Sequence, residues 1–183
     1  MDFNSLILAF LAVSASEMGD KTQLAILVLS ARGSSLTVFL GAFAALAAMS
    51  GLTLVLGATI ASAISAYHVA KVAGLAFIAS GLVSFIKREE GEPRALGRLL
   101  VWSTFLLVAL AEFGDKTQLA ILGLAWSLGS YDAVLLGSLA AFALTTILAV
   151  SLGVVLAKRL PMKWIRISTS ILFLIIGLAY LLG

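Results

Sequence analysis

Glu17, Asp20, Lys21 and Thr22 stand in the run Glu-Met-Gly-Asp-Lys-Thr-Gln, and Glu112, Asp115, Lys116 and Thr117 repeat it as Glu-Phe-Gly-Asp-Lys-Thr-Gln. Both runs continue as Leu-Ala-Ile-Leu, so Gly19–Leu27 and Gly114–Leu122 are the same nine residues. Each copy lies inside a long apolar segment, where carboxylates and ammonium groups are costly and mark ion or substrate paths by default. On a helix, Glu17, Asp20 and Gln23 follow one another at three-residue spacing and share a face. Glu112, Asp115 and Gln118 repeat that face. If the two clusters meet, four carboxylates oppose two lysines, and the formal sum of −2 suits one divalent cation.

The donor types narrow that cation. Carboxylate, amide and hydroxyl oxygens, here including Thr22, Gln23, Thr117 and Gln118, are hard ligands suited to Mg²⁺, Ca²⁺ or Mn²⁺. Soft or thiolate sites have nothing to build on: there is no cysteine, the single His68 lies near a helix end, and Met18 is matched by Phe113. Ser50 and Thr146 align across the repeat and could add hydroxyls, although hydrogen bonding to their own helix backbone explains them as well. A structural reading of the motif also exists, since Glu17–Lys21 and Glu112–Lys116 are spaced as ion pairs within a helix. Buried pairs are weak stabilisers, however, and an identical nine-residue run exceeds what pairing requires.

The elements that carry these residues follow from composition. The chain is 62% hydrophobic and 11% charged, against about 45–50% and about 25% in soluble domains. Its apolar runs are long enough to cross a ~30 Å hydrocarbon core. Six helices are expected, at about Ser5–Leu29, Leu36–Ile60, Tyr67–Ile86, Leu99–Ser127, Tyr131–Ala157 and Lys163–Leu182. Asp2 stands where a basic leader would begin, so the first span reads as mature structure rather than a cleavable signal. The run Lys87–Arg98 is too polar for a bilayer and holds Pro93, while Pro161 marks the last turn. The expected units are therefore a first three-helix repeat (1–86), a linker (87–98) and a second repeat (99–183).

The duplication extends past the motif. Leu40-Gly41 aligns with Leu136-Gly137, Gly57 with Gly153, Phe77 with Phe173 and Gly81-Leu82 with Gly177-Leu178. Three spans per half force the second half to enter the membrane from the opposite side, which makes an inverted repeat with a site at the midplane. Arg32, Lys87, Arg88, Arg94, Arg98, Lys158, Arg159, Lys163 and Arg166 fall on one side, and only Lys71 on the other. That asymmetry makes the odd-numbered loops cytoplasmic and puts both termini outside. A net charge of +3 is thereby accounted for by orientation in a bilayer, with no nucleic-acid partner implied. Tyr67, Trp102, Trp126, Tyr131, Trp164 and Tyr180 are expected as an interfacial belt. The small-residue stretches Gly41–Ala45 and Gly137–Ala141 are expected as helix-packing surfaces.

Paired Glu-x-Gly-Asp-Lys-Thr motifs, one per three-helix repeat, resemble the second calcium:cation antiporter family. That family includes Golgi manganese/calcium transporters and bacterial manganese exporters, within the lysine-exporter superfamily. The resemblance covers essentially the whole chain. It implies an all-α integral protein of the cell (inner) membrane that exports Mn²⁺, or Ca²⁺, in exchange for protons. It implies Glu17, Asp20, Glu112 and Asp115 as metal ligands, Lys21, Thr22, Lys116 and Thr117 as supporting groups, and no permanently bound cofactor. The residues by themselves leave two alternatives, a passive divalent cation channel and an intramembrane metal-dependent lipid phosphatase. No pattern in the chain specifies an oligomeric state.

Overall fold

The computed structural model describes residues 2–63, 66–86, 93–113 and 115–182. Residues 87–92 of the expected linker and Gly114 lie outside the described residues, as do the side chains of Tyr67, His68, Arg94, Arg98, Lys116 and Arg166. Among the described residues there are eight helices and no strand. They are α1 (Phe3–Glu17), α2 (Lys21–Ser30), α3 (Ser35–Ala63), α4 (Ala66–Ile86), α5 (Pro93–Glu112), α6 (Lys116–Leu128), α7 (Tyr131–Arg159) and α8 (Met162–Leu182).

Two of the six expected helices are therefore not continuous. The first divides into α1 and α2, and the fourth into α5 and α6, each at the acidic run. The residue types explain the first break. Gly19 takes φ +79, a left-handed conformation that only glycine adopts cheaply, and Asp20 follows in extended backbone. The α1 and α2 segments hold 15 and 10 residues; laid end to end they reach about 38 Å, whereas α1 alone reaches about 22 Å, short of a hydrocarbon core. A further difference is that α5 begins at Pro93, inside the segment expected as linker. Proline suits a first helical turn, where its missing N–H has no partner to lose.

Among the described residues, three helices are long and apolar enough to cross a membrane: Ser35–Val55, Tyr131–Arg159 and Lys163–Leu182, with mean hydropathies of 2.1, 2.4 and 2.1. Shorter apolar helices make up much of the rest. Large apolar residues such as Leu8, Leu11, Leu40, Leu106, Leu136 and Leu152 are exposed, while Ala9, Ala42, Ala45, Ala125, Ala141 and Ala149 are buried. That distribution suits a lipid exterior, where small residues let backbones approach and leucines face the acyl chains. Trp126, Tyr131 and Trp164 are exposed near helix ends, as an interfacial belt requires. Two others depart from it: Trp102 is exposed but midway along α5, and Tyr180 is half-buried inside the bundle.

Helix contacts come in twin sets. α1 packs on α7 as α5 packs on α3, α2 on α7 as α6 on α3, and α4 lies along α8. Glycines make the first pair of contacts possible. A Cβ on Gly41 would stand 2.6 Å from the Val101 carbonyl and 3.0 Å from Thr104 Cβ. On Gly137 it would strike the Leu6 carbonyl and stand 3.0 Å from Ala9 Cβ. Both small-residue stretches are thus packing surfaces.

Candidate metal site

The two helix breaks are built alike. At the first, the Met18 N–H donates to the Ser14 carbonyl (3.1 Å) and the Asp20 N–H to that of Glu17 (3.2 Å). At the second, Phe113 N–H donates to Ala109 (3.0 Å) and Asp115 N–H to Glu112 (3.1 Å). Asp20 and Asp115 each occupy the residue before a helix, at φ −72, ψ 162 and φ −76, ψ 164. Aspartate is favoured there because its carboxylate usually caps the first turn. Neither side chain makes that capping bond. At the first break Gln23 reaches back over the turn, its Oε1 accepting from the Gly19 N–H at 2.6 Å.

The carboxylates converge instead. Asp20, Glu112 and Asp115 each present an oxygen, and the three lie within 4.8 Å of one another. Oxygens on opposite sides of a Ca²⁺ ion are about 4.6–5.2 Å apart, twice the usual bond length, so one hard cation can touch all three. Glu112 is fully buried, and its Oε2, like Asp115 Oδ2, has no hydrogen-bond partner among the described residues. Buried carboxylate oxygens normally have partners, so these two are available to a ligand. Lys21 Nζ lies 3.5 Å from Asp115 Oδ1. Three carboxylates against this one ammonium leave a formal −2 among the described groups.

The polar residues singled out from sequence whose side chains are described have these places. Thr22 donates to Glu112 Oε1 at 2.7 Å, from the opposite half of the chain. Thr117 pairs with Ser16 at 2.9 Å. Gln118 accepts from Thr53 at 2.8 Å, and Gln23 donates to the Thr145 carbonyl at 3.4 Å. Ser50 donates to the Leu46 carbonyl at 2.9 Å, one turn back on its own helix, which is the structural role. Thr146 is buried, and its hydroxyl has no partner among the described residues.

One expectation is corrected. Glu17, Asp20 and Gln23 do not share a helical face, nor do Glu112, Asp115 and Gln118, because the helix ends between the first and second member of each set. Glu17 is buried, at 3% exposure, yet it is not one of the three converging acids. Lys21, the motif lysine whose side chain is described, pairs across the repeat with Asp115. Sequence reasoning also missed Tyr180, assigned above to the interfacial belt. Lys21 Nζ lies 4.6 Å from its ring centroid, and its hydroxyl donates to the Ala111 carbonyl at 2.7 Å. Nothing local announces that contact, since it joins α2, α5 and α8.

The profile of the divalent cation/proton antiporter GDT1 family matches residues 5–92 and 100–183. The chain belongs to this family. It is thus a member of a membrane transporter family and not an enzyme, which removes the lipid phosphatase alternative. GDT1-like protein 1, chloroplastic, of Oryza sativa subsp. indica is 31% identical over 201 residues, which cover 91% of this chain and 58% of that protein. The chain therefore spans less than two thirds of that relative. A Vibrio cholerae protein whose name proposes it as a manganese exporter is 30% identical over 178 residues, covering 95% of this chain and 88% of its own. The divalent cation/proton antiporter GDT1 of Saccharomyces cerevisiae is 25% identical over 233 residues, with 97% and 83% covered. No solved structure matches the chain.

Proposed function

We propose that this chain exports Mn²⁺, with Ca²⁺ as an alternative cargo, from the cytoplasm in exchange for protons. In this reading it spans the cell (inner) membrane six times as two inverted three-helix repeats, α1/α2 and α5/α6 each counting as one broken span, with both termini outside. The observation that carries it is the convergence of Asp20, Glu112 and Asp115 at the helix breaks, where Glu112 Oε2 and Asp115 Oδ2 have no hydrogen-bond partner among the described residues. Broken helices around a midplane site are a recurring device of secondary transporters. The relatives named for divalent cation/proton antiport and for manganese export supply the cargo and the counter-ion.

Energetics favours coupling. Moving a divalent cation outward against a negative-inside potential costs about 4.6 kcal/mol per 100 mV, twice the single-charge value. A passive pore would leak such ions inward. Carboxylates that hold a metal in one half-cycle and protons in the other provide the coupling. Asp20, Glu112 and Asp115 bind the ion, Glu17 supplies a further buried acid, and Lys21 balances charge when the metal leaves. Lys116, Thr22, Thr117, Gln23 and Gln118 complete the polar surround. Because metal and protons compete for the same oxygens, apparent metal affinity falls as pH falls.

Purified protein in liposomes tests this directly. With a proton gradient imposed, Mn²⁺ or Ca²⁺ should move uphill, and metal should drive protons the other way; Mg²⁺ serves as a comparison ion. Equal metal flux with and without the gradient, and no proton movement, would replace the antiporter with a channel. Orientation is read separately. Single cysteines placed at Asn4 and Gly91 of this cysteine-free chain should react with an impermeant thiol reagent from outside and inside the cell, respectively.

A further inference from the structure

Where a helix breaks, its last carbonyls lose the N–H groups that would have followed. The Ala111 carbonyl on α5 would have taken the Asp115 N–H in an unbroken helix, but that N–H donates to Glu112. The Tyr180 hydroxyl, reaching over from α8, serves Ala111 instead at 2.7 Å. The face of the same ring sits against Lys21 Nζ, 4.6 Å from its centroid, and that ammonium is 3.5 Å from Asp115 Oδ1. Asp115 Oδ2 remains without a hydrogen-bond partner among the described residues. Tyr180 is itself held by Phe77, stacked at 6.2 Å, which meets Phe173 edge-on at 5.5 Å.

A tyrosine that only filled space would need neither contact. Here the hydroxyl meets a carbonyl stranded by the break, one residue before Glu112, and the ring meets a cation beside Asp115. A desolvated ammonium over an aromatic face is attracted to the ring's negative quadrupole, which gives it a second resting place besides the carboxylates. We propose that Tyr180 is a positioning residue of the metal site. Its ring seats the Lys21 ammonium to one side of Asp115, so that Oδ2 is left for the ion, and its hydroxyl fixes the end of α5 that carries Glu112. By the repeat alignment Tyr180 corresponds to Ser84, so the aligned position of the first half carries no aromatic ring. The inference rests on reading the three carboxylates as a metal site.

Mn²⁺ binding to the purified protein, followed by the electron paramagnetic resonance of the free ion, tests it in five forms: native, Tyr180→Phe, Tyr180→Leu, Lys21→Gln, and the Tyr180→Leu/Lys21→Gln double variant. Without the ring, the ammonium moves in among the carboxylates and competes with the metal. Tyr180→Leu should therefore raise Kd about fivefold to tenfold. Tyr180→Phe keeps the ring and should leave Kd within about twofold, while slowing turnover in liposomes because the Ala111 carbonyl loses its donor. With Lys21→Gln already present there is no ammonium to misplace, so adding Tyr180→Leu should change Kd no further. Equal losses for Leu and Phe, or a Leu effect that persists in full on the Lys21→Gln background, would mean general loosening and overturn the assignment. If the native protein binds no divalent ion at all, the metal site itself falls, and this inference with it. Native binding combined with the wrong variant pattern removes Tyr180 alone.

Discussion

The two copies of the motif have the same residues and different partners. In the first, Thr22 reaches across to Glu112, Lys21 to Asp115, and Asp20 joins both acids. In the second, Thr117 turns to Ser16. Gln118 finds a side-chain hydroxyl on Thr53, whereas Gln23 reaches a backbone carbonyl at Thr145. The duplicated residues set what both halves share, the helix break and the extended aspartate. The unduplicated neighbours set what differs. Ser16 aligns with Ala111, Thr53 with Ala149, and Tyr180 with Ser84, so each partner exists on one side only.

The largest test of that asymmetry is a pair of glutamate variants. Glu112 belongs to the converging triad and Glu17 does not. Glu112→Gln should weaken Mn²⁺ binding at least about 30-fold, the cost of truncating one member of a desolvated charge cluster. Glu17→Gln, measured alongside by the same titration, should cost less than Glu112→Gln, because its carboxylate is not among the three that converge. Equal losses would make the halves equivalent.

Packing should behave in the opposite way, with twins alike. Gly41→Ala and Gly137→Ala each drive a methyl against a backbone carbonyl of the helix opposite. Both should destabilise the folded protein by about 1–3 kcal/mol, seen as a lower thermal midpoint in detergent. A large difference between them would show that the asymmetry extends beyond the site into the scaffold.

Smaller effects separate the threonines. Thr22→Val removes a hydrogen bond to a buried carboxylate and should weaken Mn²⁺ binding about tenfold. Thr117→Val removes a hydroxyl–hydroxyl contact and should weaken it by less than about threefold. Smallest of all, Ser50→Ala takes away a bond to its own helix backbone and should leave binding unchanged within error. A clear binding loss at Ser50 would return it to the ligand set.

Much of the scaffold was legible because it is written in local chemistry. Apolar runs set the helices, Pro161 set the last turn, and the paired Gly41 and Gly137 set the close helix contacts. The acidic residues were legible too, since carboxylates in apolar runs have few reasons to exist. The break was harder to see. Helical spacing from Glu17 to Gln23 fits an unbroken face, and Gly19 allows an intact helix as readily as a left-handed turn. Only the convergence of both motifs decides between them, because an extended Asp20 can reach acids of the other half. Tyr180 was misread for a related reason. An aromatic near a chain end in an apolar segment fits an interfacial belt, and its contacts with Lys21 and Ala111 arise from how three helices meet.

Tyr180 also bears on how such a protein could have arisen. Two identical three-helix subunits related by a twofold axis must place the same residue at both twin positions. Such a dimer would carry two tyrosines at the position of Tyr180 or none, and two serines at that of Ser16 or none. Joining the halves in one chain releases that constraint and lets one side keep a group the other has lost. A seat for Lys21 on one side alone, and a Ser16–Thr117 contact without its twin, are therefore open to the joined chain and closed to a symmetric dimer.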